Sequence, residues 1–362
     1  MGKGVKAGTR SGIDGRWDFI PRARAPGSAR SGQARWRIAE IILEEGPTPF
    51  WRMLPQLGVT EVVGVLPRGY ADWRRSSSEQ PWDYFPLRKY KQMVEEEGLK
   101  LVSIEDNPPM DAIKCGTEGR KDELENVCHL IENMGRLKVQ TWCYNWTAHL
   151  GWIRTSTNLR GRGGAIVTGF DEEVAADSPP FPGKAITAET LWRTLERFLK
   201  EVVPVAENAE VRLAMHPDDP PVPSIRGVPR ILGSVSSFDR LLRLSPSHAN
   251  GITLCQGNFT LMTEDLPSVI RHFCKTGRVF FVHFRDVRGK ARRFVETFID
   301  EGKTDTVECM KAYRDAGFDG IMRCDHTPTL EGDAAEVPGY SVLGRLHAIG
   351  YIVGLREAVF AK

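Results

Sequence analysis

Apolar positions along this chain come in short β-rich runs, each followed by a stretch in which they recur every three to four residues. The pattern predicts eight strands, over Trp36–Leu43, Thr60–Leu66, Lys100–Glu105, Lys138–Tyr144, Val211–His216, Ile252–Cys255, Val279–His283 and Gly320–Asp325. It predicts helices over Leu87–Glu97, Lys121–Asn133 and Glu189–Glu207, and others near Phe238–Leu244, Leu266–Lys275 and Thr304–Ala316. Gly98, Gly135 and Gly317 fall where helix C-terminal caps are expected. A helix-end phrase recurs at Leu57-Gly58-Val59, Glu97-Gly98-Leu99 and Ala316-Gly317-Phe318.

Strands alternating with helices build a parallel sheet, and eight such units without a glycine-rich dinucleotide fingerprint favour a closed α/β barrel. The expectation is a (β/α)8 TIM barrel over residues 36–362 as one catalytic domain. The stretch from Thr147 to Lys184 is polar and rich in Gly and Pro. It follows the fourth strand, so it is expected over the C-terminal face of the barrel, where long loops shape pockets.

Composition narrows the picture further. The chain has 362 residues, 41% hydrophobic and 27% charged, with a net charge of +2. That balance is globular, and nothing in it points to nucleic acid or a membrane surface as a partner. No run of about 18 apolar residues is present. The seven cysteines are sparse and form no CxxC pair, which fits a reducing cytoplasmic compartment and ordinary packing for most of them. Residues 1–35 stand apart, with eight Lys or Arg against two Asp and few apolar residues, and are expected to be a flexible basic segment. Such a start also suits an organelle transit peptide, although the amphipathic run of that class is missing.

Candidate chemistry gathers at the ends of the last four strands. They close with His216, Cys255, His283 and Asp325. In a parallel barrel those ends converge on one face, so an imidazole, a thiolate, a second imidazole and a carboxylate would surround one point. Taken singly, each has a plainer explanation: a hydrogen-bonded histidine, a packed cysteine, a helix-capping aspartate. Shared register is what turns them into a ligand set. Thiolate and imidazole donors disfavour Mg²⁺ and Ca²⁺ and suit Mn²⁺, Fe²⁺, Co²⁺ or Zn²⁺.

The surrounding motifs resemble a known family. Val-Arg-Leu-Ala-Met-His216-Pro-Asp-Asp-Pro-Pro, Asn250-Gly-Ile-Thr-Leu-Cys255-Gln-Gly and Val282-His283-Phe-Arg285 are similar to mannonate dehydratases. So are Arg323-Cys-Asp325-His326, Pro338-Gly-Tyr340-Ser-Val-Leu-Gly344-Arg345, Cys143-Tyr144-Asn145 with Trp152-Ile-Arg154-Thr155, and Glu105 with Pro108 and Ile113-Lys114. The likeness runs from about Trp36 to Leu355 and is densest after Glu207. It implies a xylose-isomerase-like barrel that dehydrates D-mannonate to 2-keto-3-deoxy-D-gluconate with a divalent metal, usually Mn²⁺ or Fe²⁺, in hexuronate breakdown. It implies the same four ligands, His216, Cys255, His283 and Asp325. It also implies Tyr340 and His326 as active-site residues; dehydration needs an acid and a base, and these two are expected to fill those roles in either order, with Asp325 orienting His326.

Arg285 and Arg154 are expected to pair with the substrate carboxylate, and Asn145 and Glu105 to contact the substrate. Asp218 and Asp219 suit either support of the site or helix capping. Trp142, Trp146 and Trp152 suit either sugar stacking or packing. The partner is a small sugar acid, and a homo-oligomer is expected. The chain departs from the family where a His-His pair normally follows the second strand; here it reads Gly64-Val65-Leu66-Pro67-Arg68. It also has Cys324-Asp325-His326-Thr327 in place of Pro-Asp-His-Gly. These changes bear on which aldonate is taken. The competing readings are a metal-dependent isomerase or epimerase on the same barrel, a phosphodiesterase, and a barrel that only binds.

Overall fold

The computed structural model describes residues 36–44, 46–68, 79–183, 185–333 and 337–361. The basic segment over 1–35, expected to be flexible, lies outside the described residues. Eight parallel strands close a barrel: β1 (Arg37–Ile42), β2 (Glu61–Gly64), β3 (Lys100–Glu105), β4 (Thr141–Tyr144), β5 (Arg212–Met215), β6 (Asn250–Cys255), β7 (Val279–Phe284) and β8 (Ile321–Cys324). Each pairs with its sequence neighbour, and β1 closes the ring on β8 through Arg37–Ile321 and Ile38–Met322. All eight predicted strands are present, within the end-to-end slack that strand boundaries carry.

Alternation along each strand sets two layers. Small and medium side chains such as Ala39, Ile41, Val63, Cys143, Ala214 and Ile321 fill the barrel interior. The opposite faces meet the surrounding helices, with Trp36, Trp142 and Phe198 in that larger core. Helix Arg120–Arg136 runs one turn past its predicted end. Gly135 is therefore no cap: it lies inside that helix, where a Cβ would stand 2.4 Å from the Ala209 carbonyl oxygen. Its lack of a side chain lets two helices cross closely. Gly98 and Gly317 do take the left-handed conformation after their helices, at φ +76° and +72°.

Three further differences matter. Helix Val342–Phe360 follows β8 and was not predicted; it is apolar on most sides, so no stripe of helical period stands out. Helix Pro49–Gln56 carries prolines at its first position and near its end, which mask it in the sequence. The loop after β4 forms strands Ser156–Arg160 and Ile166–Asp171. These join Arg293–Glu296 and Val287–Lys290, from the loop after β7, in one antiparallel four-stranded sheet. Phe170, Val222, Ile225, Val287 and Phe294 give that sheet its own small core. Among the described residues no helix is long and apolar enough to cross a membrane.

Candidate active site

Barrel register brings the four predicted donors together. His216 follows β5 directly, Cys255 ends β6 and pairs with His283 of β7, and Asp325 follows β8. His216 Nε2 lies 3.2 Å from His283 Nδ1. Asp325 Oδ2 lies 3.6 Å from His283 Nδ1 and 3.9 Å from Cys255 Sγ. Metal bonds of about 2.0–2.3 Å place tetrahedral donors roughly 3.3–3.8 Å apart, so this spacing fits a first-row ion. The orientation fits as well. His216 Nδ1 stands 2.7 Å from the Pro217 carbonyl, which fixes the proton there and leaves Nε2 as the free donor atom.

The electrostatics suit ligation. Burial would push the Cys255 thiol up, but the Arg285 guanidinium and hydrogen bonds from His216 and His283 outweigh it and bring it down to about 5. Asn258 Nδ2 adds a hydrogen bond to the sulfur at 3.4 Å. Burial also opposes ionisation of Asp325, yet His326, Arg323 and His283 hold its carboxyl well below the usual range. Its Oδ1 accepts from the Tyr340 hydroxyl at 2.6 Å and from Arg323 Nη1 at 3.0 Å, while Oδ2 faces Arg285 Nε at 2.9 Å. His283 is pushed well above an ordinary imidazole: burial and Arg323 resist, but Glu105 and Asp325 prevail. Burial and the neighbouring Asp325 push the Tyr340 phenol up, so it keeps its proton.

A cavity of about 300 Å³ opens over these donors. His216, His283, Asp325, His326, Tyr340, Asn145 and Glu105 line it. Asn145 Oδ1 is tied to Lys114 Nζ at 3.3 Å and the Thr147 hydroxyl at 2.7 Å. Glu105 accepts from Arg323 at 2.7 and 3.0 Å and stands 3.2 Å from His283 Nε2. Trp152 also lines the cavity, 40% exposed, with its ring 5.0 Å from that of His326. Trp142 and Trp146 are packed in the core.

Two expected residues stand elsewhere. Arg154 and Arg285 do not line the cavity, and both forks are already closed on carboxylates. Arg154 donates to Asp219 at 2.6 and 3.1 Å and to Glu296. Arg285 donates to Glu296 at 2.9 and 2.8 Å and to Asp219 at 2.8 Å. A clamp on a substrate carboxylate needs a free fork, so the two arginines are better described as braces beneath the site. Asp219 serves as their partner, and Asp218 Oδ2 accepts from the Leu232 amide at 2.7 Å. Glu296 went unnoticed in the sequence, as a lone acid in the apolar run Phe294-Val295-Glu296-Thr297-Phe298 carries no spacing signal.

Comparison with known proteins shows the family. The family model described as D-mannonate dehydratase (UxuA) matches residues 52–180 and 182–362. A mannonate dehydratase of Enterococcus faecalis is 33% identical over 351 residues, covering 87% of this chain and 95% of that protein. The crystal structure of mannonate dehydratase from Streptococcus suis serotype 2 superposes with a TM-score of 0.80 at 28% identity, covering 90% of this chain and 94% of that one. An L-ribulose 3-epimerase structure reaches a TM-score of 0.57 at 14% identity, over 90% of this chain and 95% of that chain, which is a likeness of fold alone. With the family model spanning residues 52–180 and 182–362 and a relative 33% identical over 87% of the chain, this chain belongs to the D-mannonate dehydratase family of hydro-lyases.

Proposed function

We propose that the protein removes water from D-mannonate to give 2-keto-3-deoxy-D-gluconate, using one divalent transition metal held by His216, Cys255, His283 and Asp325. The observation that carries this reading is that His216, Cys255 and His283 offer ligand atoms within reach of one ion, while His216, His283, Asp325, His326 and Tyr340 line one cavity. The thiolate–imidazole–carboxylate set favours Mn²⁺ or Fe²⁺ in this family and also accommodates Co²⁺ or Zn²⁺. When bound, the ion supplies Lewis-acid stabilisation of the negative charge that develops on the substrate oxygens.

The chain's own groups divide the proton work. Dehydration takes a proton from C2 and a hydroxide from C3, and the resulting enol ketonises. Tyr340 keeps its proton and is the donor for the departing hydroxyl. His326, whose Nε2 lies 3.7 Å from Asp325 Oδ1, takes the C2 proton. Asn145 and Glu105 line the wall beside the donors and read substrate hydroxyls. Arg154 and Arg285 act at one remove, by holding Asp219, Glu296 and Asp325 in place. The working form is read as a cytoplasmic homo-oligomer. Light scattering tests the assembly.

The deciding experiment offers D-mannonate and a panel of other aldonates to Mn²⁺-reconstituted protein and detects 2-keto-3-deoxy acid with thiobarbiturate. Product from D-mannonate is expected, abolished by chelation and by Cys255→Ala. Turnover of a different aldonate alone would reassign the substrate while keeping the chemistry. No product from any acid, with metal bound, would sink the dehydration.

A further inference from the structure

The roles above leave one buried carboxylate beside the catalytic groups without a purpose. Glu296 is 3% exposed and comes from the strand Arg293–Glu296, in the loop after β7. That strand pairs with Ile166–Asp171, so two insertions far apart in sequence meet to deliver it. Its Oε1 lies 3.3 Å from His326 Nδ1. The Arg285 and Arg154 guanidinium groups hold the carboxylate in place from its other sides.

A count of hydrogens decides what passes between Glu296 and His326. Arg154 Nη2 also lies within hydrogen-bond distance of Nδ1, at 3.4 Å, and a guanidinium can only donate. That nitrogen carries two hydrogens, and Asp219 Oδ2 (3.1 Å) and Glu296 Oε1 face it as acceptors. An ionised carboxylate has no hydrogen to give. A bare Nδ1 would set its lone pair against that of Oε1, so the proton between them belongs on Nδ1. We propose that Glu296 is a positioning residue for the dehydration: it fixes His326 as the Nδ1–H tautomer and leaves Nε2 as the bare nitrogen that faces the reaction.

The rest of the His326 setting agrees with tight positioning. Its backbone sits at φ +36°, which a residue with a side chain adopts only where its surroundings dictate it. The next amide, Thr327 N, donates to the Gly339 carbonyl at 2.7 Å and ties the segment to the Tyr340 loop. The ring meets Tyr340 edge-on at 5.4 Å and leans on Trp152. Rotation of the imidazole is thus restricted on two sides, and Glu296 settles which nitrogen carries hydrogen.

This role presupposes that His326 acts on substrate, as proposed above. The test uses the full-length, metal-loaded enzyme. Glu296→Gln keeps the shape and removes the charge; kcat is expected to fall about 10- to 100-fold with KM little changed. The visible spectrum of Co²⁺-loaded protein, which reports the four donors, is expected to stay as in the wild type. Independently of any variant at 296, ¹⁵N spectra of Zn²⁺-loaded wild type, with the His326 signals identified by their loss in His326→Gln, should show Nδ1 protonated and Nε2 bare. The opposite tautomer, or wild-type kcat in Glu296→Gln, would overturn the proposal. Wild-type turnover in His326→Gln would instead remove the catalytic role of His326, and the proposal with it. Should Glu296→Gln fail to fold, the wild-type tautomer decides alone.

Discussion

Gly257 offers a sharp test of how rigidly the site is built. It follows Cys255-Gln256 at the start of helix Gln256–Met262, with the Arg285 guanidinium lying directly against it. A Cβ at this position would stand 2.4 Å from Nη1, 2.5 Å from Cζ and 2.9 Å from Nε of Arg285. Ordinary contact lies near 3.5 Å, so Gly257→Ala requires a displacement of about 1 Å. Arg285 is a poor candidate to give way, because it is held by Glu296 at 2.8 Å, Asp219 at 2.8 Å and Asp325 at 2.9 Å. Moving it that far stretches charged hydrogen bonds, each of which contributes about 1.5–3 kcal/mol. Overpacking alone costs about 1–3 kcal/mol, so the variant is expected to lose roughly 2–4 kcal/mol of stability. A displaced Arg285 also stabilises the Cys255 thiolate less, being the charge that lowers it most, so metal affinity should fall with it. Chemical denaturation of the metal-free protein reads the first effect, and competition with a chelator reads the second. Wild-type values for both would show that Arg285 shifts freely and that the buried ion-pair frame does not constrain the donors.

Two other outcomes follow from the same geometry. Near neutral pH, Cys255 is already a thiolate, with its thiol brought to about 5, while His283 lies well above 6.5 and carries a proton. Ligation through His283 Nδ1 therefore displaces about one proton from this pair, and affinity should weaken roughly tenfold per unit as pH falls, more steeply below about 5 where the thiol also protonates. Calorimetry of metal binding in buffers of different ionisation enthalpy gives the proton number, and Cys255→Ala should leave it unchanged near pH 7; a drop of one in that variant would contradict a thiolate ground state. Trp152→Ala removes an exposed ring at the cavity wall that also leans on His326, and is expected to raise KM about 3- to 10-fold with a smaller fall in kcat and melting temperature little altered. A lower kcat at unchanged KM would mean that the ring orients His326 and does not hold substrate.

The barrel and the gathering of His216, Cys255, His283 and Asp325 on one face were legible because each is a strand-end residue and strand ends follow from local periodicity. His216, Cys255, His283 and Asp325 need no knowledge of distant partners to be placed on one face. The sheet that flanks the site is different in kind. Its strands, such as Arg293–Glu296 and Ser156–Arg160, are largely polar, Arg-Phe-Val-Glu and Ser-Thr-Asn-Leu-Arg, so no apolar run marks them. The decisive pairs join residues 142 apart, as in Arg154–Glu296, and 66 apart, as in Arg285–Asp219. A cation near a site reads as a clamp for an anionic substrate until its carboxylate is found, and only tertiary structure supplies the carboxylate.

Charge balance shows why that distinction matters for the chemistry. Setting His216 and His326 aside, the groups in contact around the donors are the guanidinium groups of Arg154, Arg285 and Arg323 and the His283 imidazolium, against Asp219, Glu296, Glu105, Asp325 and the Cys255 thiolate. Four positive charges meet five negative ones, so the buried cluster carries one net negative charge. Losing the His283 proton makes it two, which a single divalent cation neutralises. An excess of buried negative charge is costly without such a partner, and the cluster is in this sense built around the ion. The arginines, each bound to its own carboxylates, have no charge left over for a substrate. A sugar acid entering the cavity would meet no free guanidinium there. Removing Arg154 or Arg285 should accordingly damage folding and donor geometry before it weakens the hold on the substrate carboxylate.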